Sequence, residues 1–507
     1  MRKIYPKEWV KYHPYKKTDE VDRYYCELVN RINKRLWTFN VLEGEDIVDE
    51  GIYEETAMFI AAWFEDIISQ TGIWQVFTSQ CLKRYGSRLP FYKIGDYYYA
   101  DEINLEDLRF IIWHCFQRKN IGIKVYNPEN QGIELLALDI YSILDNEYET
   151  APENERLIDF FDFSSLNEEN FLEYRNKLEW FYFNCYINQG VYESYIESMS
   201  DEMDRLDNDE KMDPATADIM LYSHRINKVL NGRTPLLAIT AAEYLKLILE
   251  ADGDSTDAPY MNIDSRKENF YLVTDEADDY YVFKELTDNE NEYKVVKNSL
   301  QLGYRELVPG DTIVTSSLFR YGRYWCHNGA MMNYGIGENP GIIEQIKENF
   351  SRYNQKEAYN RFISSTGGKH FVFVKGTKGF DDFMSEKVGY RNAPGVNTPD
   401  LGDDVVMITA TEENGLCILH NFCDCISSPD NMYYNKENAE KYAIYILTDR
   451  NSVPYEICCR LLDNGYLKDA GLRSTKGEEY GRKFVKDNAL FIADYFFNCC
   501  REKDFRI

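Results

Sequence analysis

Apolar residues recur at helical spacing through the first half of the chain. Leu105, Leu108, Ile112, Cys115 and Phe116 fall on one face behind Asn104 and Asp107, a pattern that predicts an amphipathic helix with a polar start. Ser165 with Glu168 has capping-box spacing ahead of Phe171, Leu172, Leu178, Phe181 and Cys185. Thr240 with Glu243 repeats that spacing ahead of Tyr244, Leu245, Leu247, Ile248 and Leu249. Asp213-Pro214 opens another helix and Asn231-Gly232 stops it. Such helices bury their stripes against one another, so residues 1–255 are expected to form a helical domain.

The loop 251–259, with three Asp, one Gly and a closing Pro, is the expected boundary, and beyond it the period becomes strand-like. Phe270 to Thr274, Tyr280 to Phe283, Tyr293 to Val296 and Thr312 to Thr315 are short β-branched and aromatic runs between polar turns. Tyr321 to Trp325 followed by Asn328-Gly329 reads as a further strand and its tight turn. Residues 256–337 are therefore expected to be a small antiparallel β barrel or curled sheet. Residues 338–507 read as mixed α/β. A helix starts at Pro340-Gly341 and runs through Ile343, Ile346 and Phe350, and strands follow near His370 to Val374 and Val405 to Thr409. Closing helices are expected near 436–447, 454–464 and 478–500. The expected class is α+β.

Charge narrows the partners. Asp and Glu number 86 against 57 Lys and Arg, a net −29 that repels phosphate backbones and anionic lipid. Non-specific nucleic-acid or membrane binding is thereby disfavoured, and another protein or a small molecule is the expected partner. The apolar fraction of 44%, with 15% aromatic, is enough to build packed interiors and excludes wholesale disorder. No apolar run follows Met1-Arg2-Lys3, and the longest such run, 57–64, falls far short of the ~20 residues of a membrane span. The expected location is cytoplasmic. There the twelve cysteines would be reduced, and Cys26, Cys115, Cys185, Cys458, Cys459, Cys499 and Cys500 would serve as small core residues.

Candidate chemistry is sparse. Cys417, His420, Cys423 and Cys425 gather four zinc-ligand types in nine residues, but strand alternation points the cysteines away from the histidine. Core and edge strand is the favoured account, with no cofactor expected; zinc or another divalent metal is the alternative. Gly367-Gly368-Lys369-His370 lacks phosphate-loop spacing and reads as a turn. Asp252, Asp254 and Asp257 suggest a calcium loop, but the Gly sits in the second place rather than the sixth and no Glu closes it at the twelfth. Glu290, Glu292 and Lys294 give the acidic-x-Lys end of a nuclease core, but the sequence does not fix the upstream Asp that such a core needs on a second strand. The segment that best suggests a pocket holds Arg320, Arg323, Tyr324, Trp325, His327 and Asn328, where cations and rings on a hairpin could face an anion or a planar ligand. The competing account has alternate residues filling a barrel while the arginines face solvent.

Ile4-Tyr5-Pro6-Lys7-Glu8-Trp9, His13-Pro14-Tyr15 and Asp22-Arg23-Tyr24-Tyr25, with Ser428 to Tyr434 and Gly465 to Ala470 late in the chain, resemble a bacterial family known only as a domain of unknown function. Pro309-Gly310-Asp311 and Asn328-Gly329 extend the resemblance. Met432 stands where the resemblance implies a proline. The family implies no activity and no site residue. From the residues themselves, Pro6 and Pro14 are expected to hold an extended arm that lays Trp9, Tyr12 and Tyr15 on the helices. The chain thus reads as a multidomain interaction or ligand-binding protein without catalysis of its own. The alternative is an enzyme acting on a phosphorylated or nucleic-acid substrate through the Arg320 to Asn328 hairpin, with a divalent ion.

Overall fold

In the computed structural model, which describes residues 1–39, 51–120, 125–207, 214–253, 257–287, 291–300, 307–338, 341–352, 355–389 and 400–504, the helical period of the first half becomes a set of packed helices. They are α1 (Glu20–Phe39), α2 (Ile52–Ser69), α3 (Ile73–Tyr85), α4 (Leu105–Arg118), α5 (Gln131–Glu147), α6 (Phe171–Asn184), α7 (Val191–Asp207), α8 (Pro214–Asn231) and α9 (Ala241–Ala251). The capping box forms at α9, where Thr240 Oγ1 accepts from the Glu243 amide at 3.3 Å and Glu243 Oε2 accepts from the Thr240 amide at 2.9 Å. At 165–168 it does not form. Both residues lie in turns, α6 begins only at Phe171, and the Glu168 carboxylate is bound to Arg323 of the β module instead.

Gly232 ends α8 as expected, and a Cβ there would lie 2.0 Å from the Tyr182 hydroxyl, so the close approach of α6 requires glycine. The opening segment is not extended. Pro6–Trp9 is a helical turn with Pro6 in its first position, where a missing N–H costs nothing. Trp9 is fully buried, so the segment does pack on the helices as an ordered arm.

The β module is a closed barrel of β1 (Asp264–Glu276), β2 (Tyr280–Glu285), β3 (Glu292–Val296), β4 (Thr312–Tyr321) and β5 (Tyr324–Gly335), in the order β1-β2-β3-β5-β4. Closure comes from a parallel contact between β3 and β5 at Val295 and Trp325, so the barrel is not wholly antiparallel. This strand order is shared by five-stranded Greek-key barrels of the OB type. The tight turn lies at Gly322-Arg323, one pair beyond Tyr321 and Tyr324, rather than at Asn328-Gly329. Asn328-Gly329 instead sits in a bulge of β5, between the pairs Ser317–Asn328 and Thr315–Met332. Tyr271, Val273, Phe283, Val295, Val314 and Leu318 fill the barrel. The outer side of β4 is buried too, because Phe319 and Tyr321 pack on Phe171 and Tyr174 of α6 at 5.8 Å and 5.3 Å between ring centres.

Past the barrel come α10 (Ile342–Arg352), α11 (Gln355–Ser365) and an antiparallel sheet of β6 (Phe371–Lys375), β7 (Val405–Thr411) and β8 (Gly415–Leu419), in the order β6-β7-β8. α10 starts close to the expected position, although Pro340 lies outside the described residues. The chain continues through α12 (Lys436–Ile446), α13 (Tyr455–Asp463) and α14 (Glu478–Phe497). The principal core ignores sequence position, running from Ile4 to Phe497 and including Phe319, Tyr321, Met407 and Leu419 from the sheets. α14 reaches back into the first half. Phe91 stacks on Phe484 at 5.5 Å and meets Phe491 edge-on at 5.3 Å, and Trp113 lies 5.2 Å from Tyr495. Among the described residues no helix is long and apolar enough to cross a membrane.

Candidate ligand-binding cleft

Strand alternation disperses the hairpin residues. Trp325 enters the barrel, edge-on to Tyr293 at 5.0 Å, with the Arg266 guanidinium 5.1 Å over its ring. Arg320 Nε turns back to the Gly322 carbonyl at 3.1 Å. Arg323 faces solvent, pairs with Glu168 at 2.6 Å and lies 5.4 Å over Tyr324. His327 is buried, with Nδ1 2.8 Å from Ser316 Oγ and Nε2 3.1 Å from the Gly329 carbonyl. Burial pushes this imidazole down to about 4, so it is neutral at pH 7. Asn328 is 1% exposed, and both polar atoms of its amide lack a hydrogen-bond partner. These residues are shared among the barrel interior, the barrel–helix contact and solvent.

The cysteine cluster is dispersed as well. Cys417 lies half-buried on β8 and His420 is exposed. Cys423 Sγ lies 3.6 Å from the Leu419 carbonyl and Cys425 Sγ lies 3.7 Å from the Asn438 carbonyl. Burial pushes both of those thiols up to about 12. Among the described residues, no three His, Cys, Asp or Glu are grouped so as to hold a metal. All twelve cysteines are unbridged, ten of them buried, with Cys417 and Cys499 half-buried. A thiol reagent applied to the native protein is therefore expected to modify Cys417 and Cys499 well before the rest. Mass mapping of the first adducts checks this.

A cleft of about 930 Å³ opens where the end of α4, the start of α7, α8 and the end of α14 meet. That volume is in the range of small-molecule sites. Five cations, Arg118, Lys119, Lys228, Arg233 and Arg450, and three carboxylates, Glu193, Glu197 and Asp449, line it. Arg118 is held rigidly. One guanidinium nitrogen meets Glu55 at 2.5 Å while the other donates to the backbone and side chain of Gln189. Gly190 admits this arrangement, since its φ is +92° and a Cβ would lie 2.9 Å from the guanidinium carbon. Lys119 meets the same Glu55 at 2.9 Å, and Arg233 pairs with Asp504. Lys228 and Arg450 are exposed, and neither forms an ion pair among the described residues.

His114 completes the cleft wall. It is fully buried, its Nδ1 lies 3.0 Å from the Tyr495 hydroxyl, and its Nε2 has no partner. Burial, helped by the Arg118 charge, holds this imidazole down at about 3. The neutral ring thus meets the Tyr495 hydroxyl through one nitrogen and leaves the other without a protein partner. Tyr182, Tyr195, Asn451 and Asn498 add further polar groups. Sequence reasoning missed this site because its residues come from six separated segments and match no spacing motif. One signal was available, the Arg118-Lys119 pair at the carboxyl end of an amphipathic helix.

The chain belongs to the family described as "Protein of unknown function (DUF3843)", whose model matches residues 3–302 and 338–498. Both the amino-terminal and the late segments that carry the resemblance fall inside the match. Pro309-Gly310-Asp311 and Asn328-Gly329 do not; like the whole β4–β5 hairpin, they lie in the unmatched interval. Every cleft residue lies within the matched segments. No curated protein matches the chain, and no solved structure does.

Proposed function

We propose that the protein binds a small anionic molecule, a phosphorylated or polycarboxylated compound, in the cleft beside His114 and Arg118. The observation that carries this is the gathering of five cations around one concave site in a chain of net −29, two of them, Lys228 and Arg450, exposed and without an ion pair among the described residues. In a chain of net negative charge, a hollow that gathers cations is where an anion best recovers the cost of leaving water. Arg118 is a fixed positive charge in the wall, His114 offers a ring nitrogen that meets no protein partner, and Lys228 with Arg450 are exposed charges without an ion pair among the described residues.

Calorimetric titration and thermal melting with inorganic pyrophosphate and with citrate, against sodium chloride at matched ionic strength, test the proposal. Saturating anion is expected to raise the melting temperature, since occupancy at a hundred times Kd adds about 2.7 kcal/mol to stability. Lys228→Glu combined with Arg450→Glu is expected to weaken binding at least tenfold, while the unliganded melting temperature stays put because both side chains are exposed. Equal stabilisation by chloride, or undiminished binding by the double variant, would overturn the assignment.

A further inference from the structure

We infer that a second hollow, on the far side of Glu55 and Glu193, binds an organic ammonium group. It holds about 690 Å³ between the amino-terminal segment and the first turns of α2, and Glu193 lines both hollows. Glu54 is the residue that points to a ligand. It is 7% exposed, its Oε2 has no hydrogen-bond partner, and its Oε1 receives only the Arg2 amide at a long 3.4 Å. A buried carboxylate oxygen without a donor is costly, and truly unanswered cases are uncommon.

Nearby cations leave Glu54 unserved. The Arg2 guanidinium turns to Glu8, Arg118 and Lys119 are held on Glu55, and Lys11 is an exposed residue at the rim. The ring of Trp37, 39% exposed and braced edge-on by Tyr53 at 5.0 Å, lines the same hollow with Tyr12 and Met58. A carboxylate with an open lone pair beside an aromatic wall suits an alkyl- or arylammonium, which satisfies the oxygen by hydrogen bonding and the ring by cation–π attraction. A hard metal ion would need several converging oxygens instead. The assignment does not depend on the anion cleft.

Calorimetric titration of the full chain with 2-phenylethylammonium, and in parallel with the uncharged isostere 2-phenylethanol, tests it at two salt concentrations. The amine is expected to bind at least tenfold more tightly than the alcohol. Glu54→Gln should remove most of that difference and Trp37→Ala should weaken the amine several-fold, whereas the Lys228→Glu/Arg450→Glu protein should bind it normally. Absence of binding heat at millimolar amine, equal binding of amine and alcohol, or full affinity in Glu54→Gln would each overturn the inference. Should Glu54→Gln fail to fold, the amine–alcohol comparison and Trp37→Ala decide.

Discussion

Asp66→Ala is expected to destabilise the protein by at least about 4 kcal/mol, because each buried donor left unmet costs about 1–3 kcal/mol and four are left. Asp66 is 2% exposed in the last turn of α2. Its Oδ1 accepts from the Thr71 hydroxyl at 2.5 Å and the Ile73 amide at 3.1 Å, and its Oδ2 accepts from the Trp74 amide at 2.8 Å and the Tyr186 hydroxyl at 2.6 Å. The carboxylate thus caps α3 from the preceding helix, where the macrodipole favours a negative charge, and ties both to the segment that leads into the anion cleft. Asp66→Asn keeps one accepting oxygen and opposes a new donor to the others, so an intermediate loss is expected. Urea unfolding followed by tryptophan fluorescence should rank the midpoints wild type, Asn, Ala. An alanine variant that melts like wild type would show that the four donors find other acceptors.

Glu65→Ala should cost about 3–5 kcal/mol near pH 6, the range for removing one partner of a buried ion pair, and less as the pH rises. Glu65 Oε2 lies 2.7 Å from His13 Nε2, and Glu65 Oε1 accepts from Asn154 Nδ2 at 2.8 Å. The other imidazole nitrogen faces the Trp9 carbonyl at 3.2 Å, so both ring nitrogens meet acceptors and the doubly protonated ring is the satisfied form. Burial opposes that charge, but the Glu65 charge and hydrogen bond, with Asp22 and the Trp9 carbonyl, outweigh it and raise the His13 pKa. A raised histidine contributes fully below its unfolded value and loses that contribution as pH climbs through the folded one.

Buried carboxyls act with the same sign. Burial raises Asp107 to about 7 and Asp494 to about 6, so each folded form holds a proton that the unfolded chain has lost, and stability falls with rising pH up to those values. His114 and His327, lowered to about 3 and 4, act oppositely and withdraw stability as pH falls below the unfolded histidine value. Stability of the wild type should therefore peak on the mildly acidic side of neutral. Subtracting the Glu65→Ala curve isolates the His13 contribution. A difference that grows with pH would contradict the pairing.

Elements carried by local chemistry were legible in the sequence. The box at Thr240, the stop at Gly232 and the four short strand runs after 264 all rest on neighbours within a few positions. Errors arose where a distant partner decided. Glu168 had the right spacing to cap but is held by Arg323, 155 residues away. Asn328-Gly329 has turn chemistry, yet a bulge uses its positive φ of +79° to bring β5 against Ser223 of α8. The hairpin drew attention because its cations and rings are consecutive, although consecutive strand residues point to opposite faces. The cleft was invisible for the converse reason, since Arg118, Lys228 and Arg450 line one hollow although each lies more than a hundred residues from the next, and α14, which closes its wall, arrives later still.

That late arrival has a consequence for biosynthesis. The rings of Phe91 and Trp113 find their cover in Phe484, Phe491 and Tyr495, so a ribosome must translate on through residue 495 before those surfaces are sealed. Until then the nascent polypeptide exposes an aromatic seam of the kind that holdase chaperones occupy and that drives aggregation during slow translation.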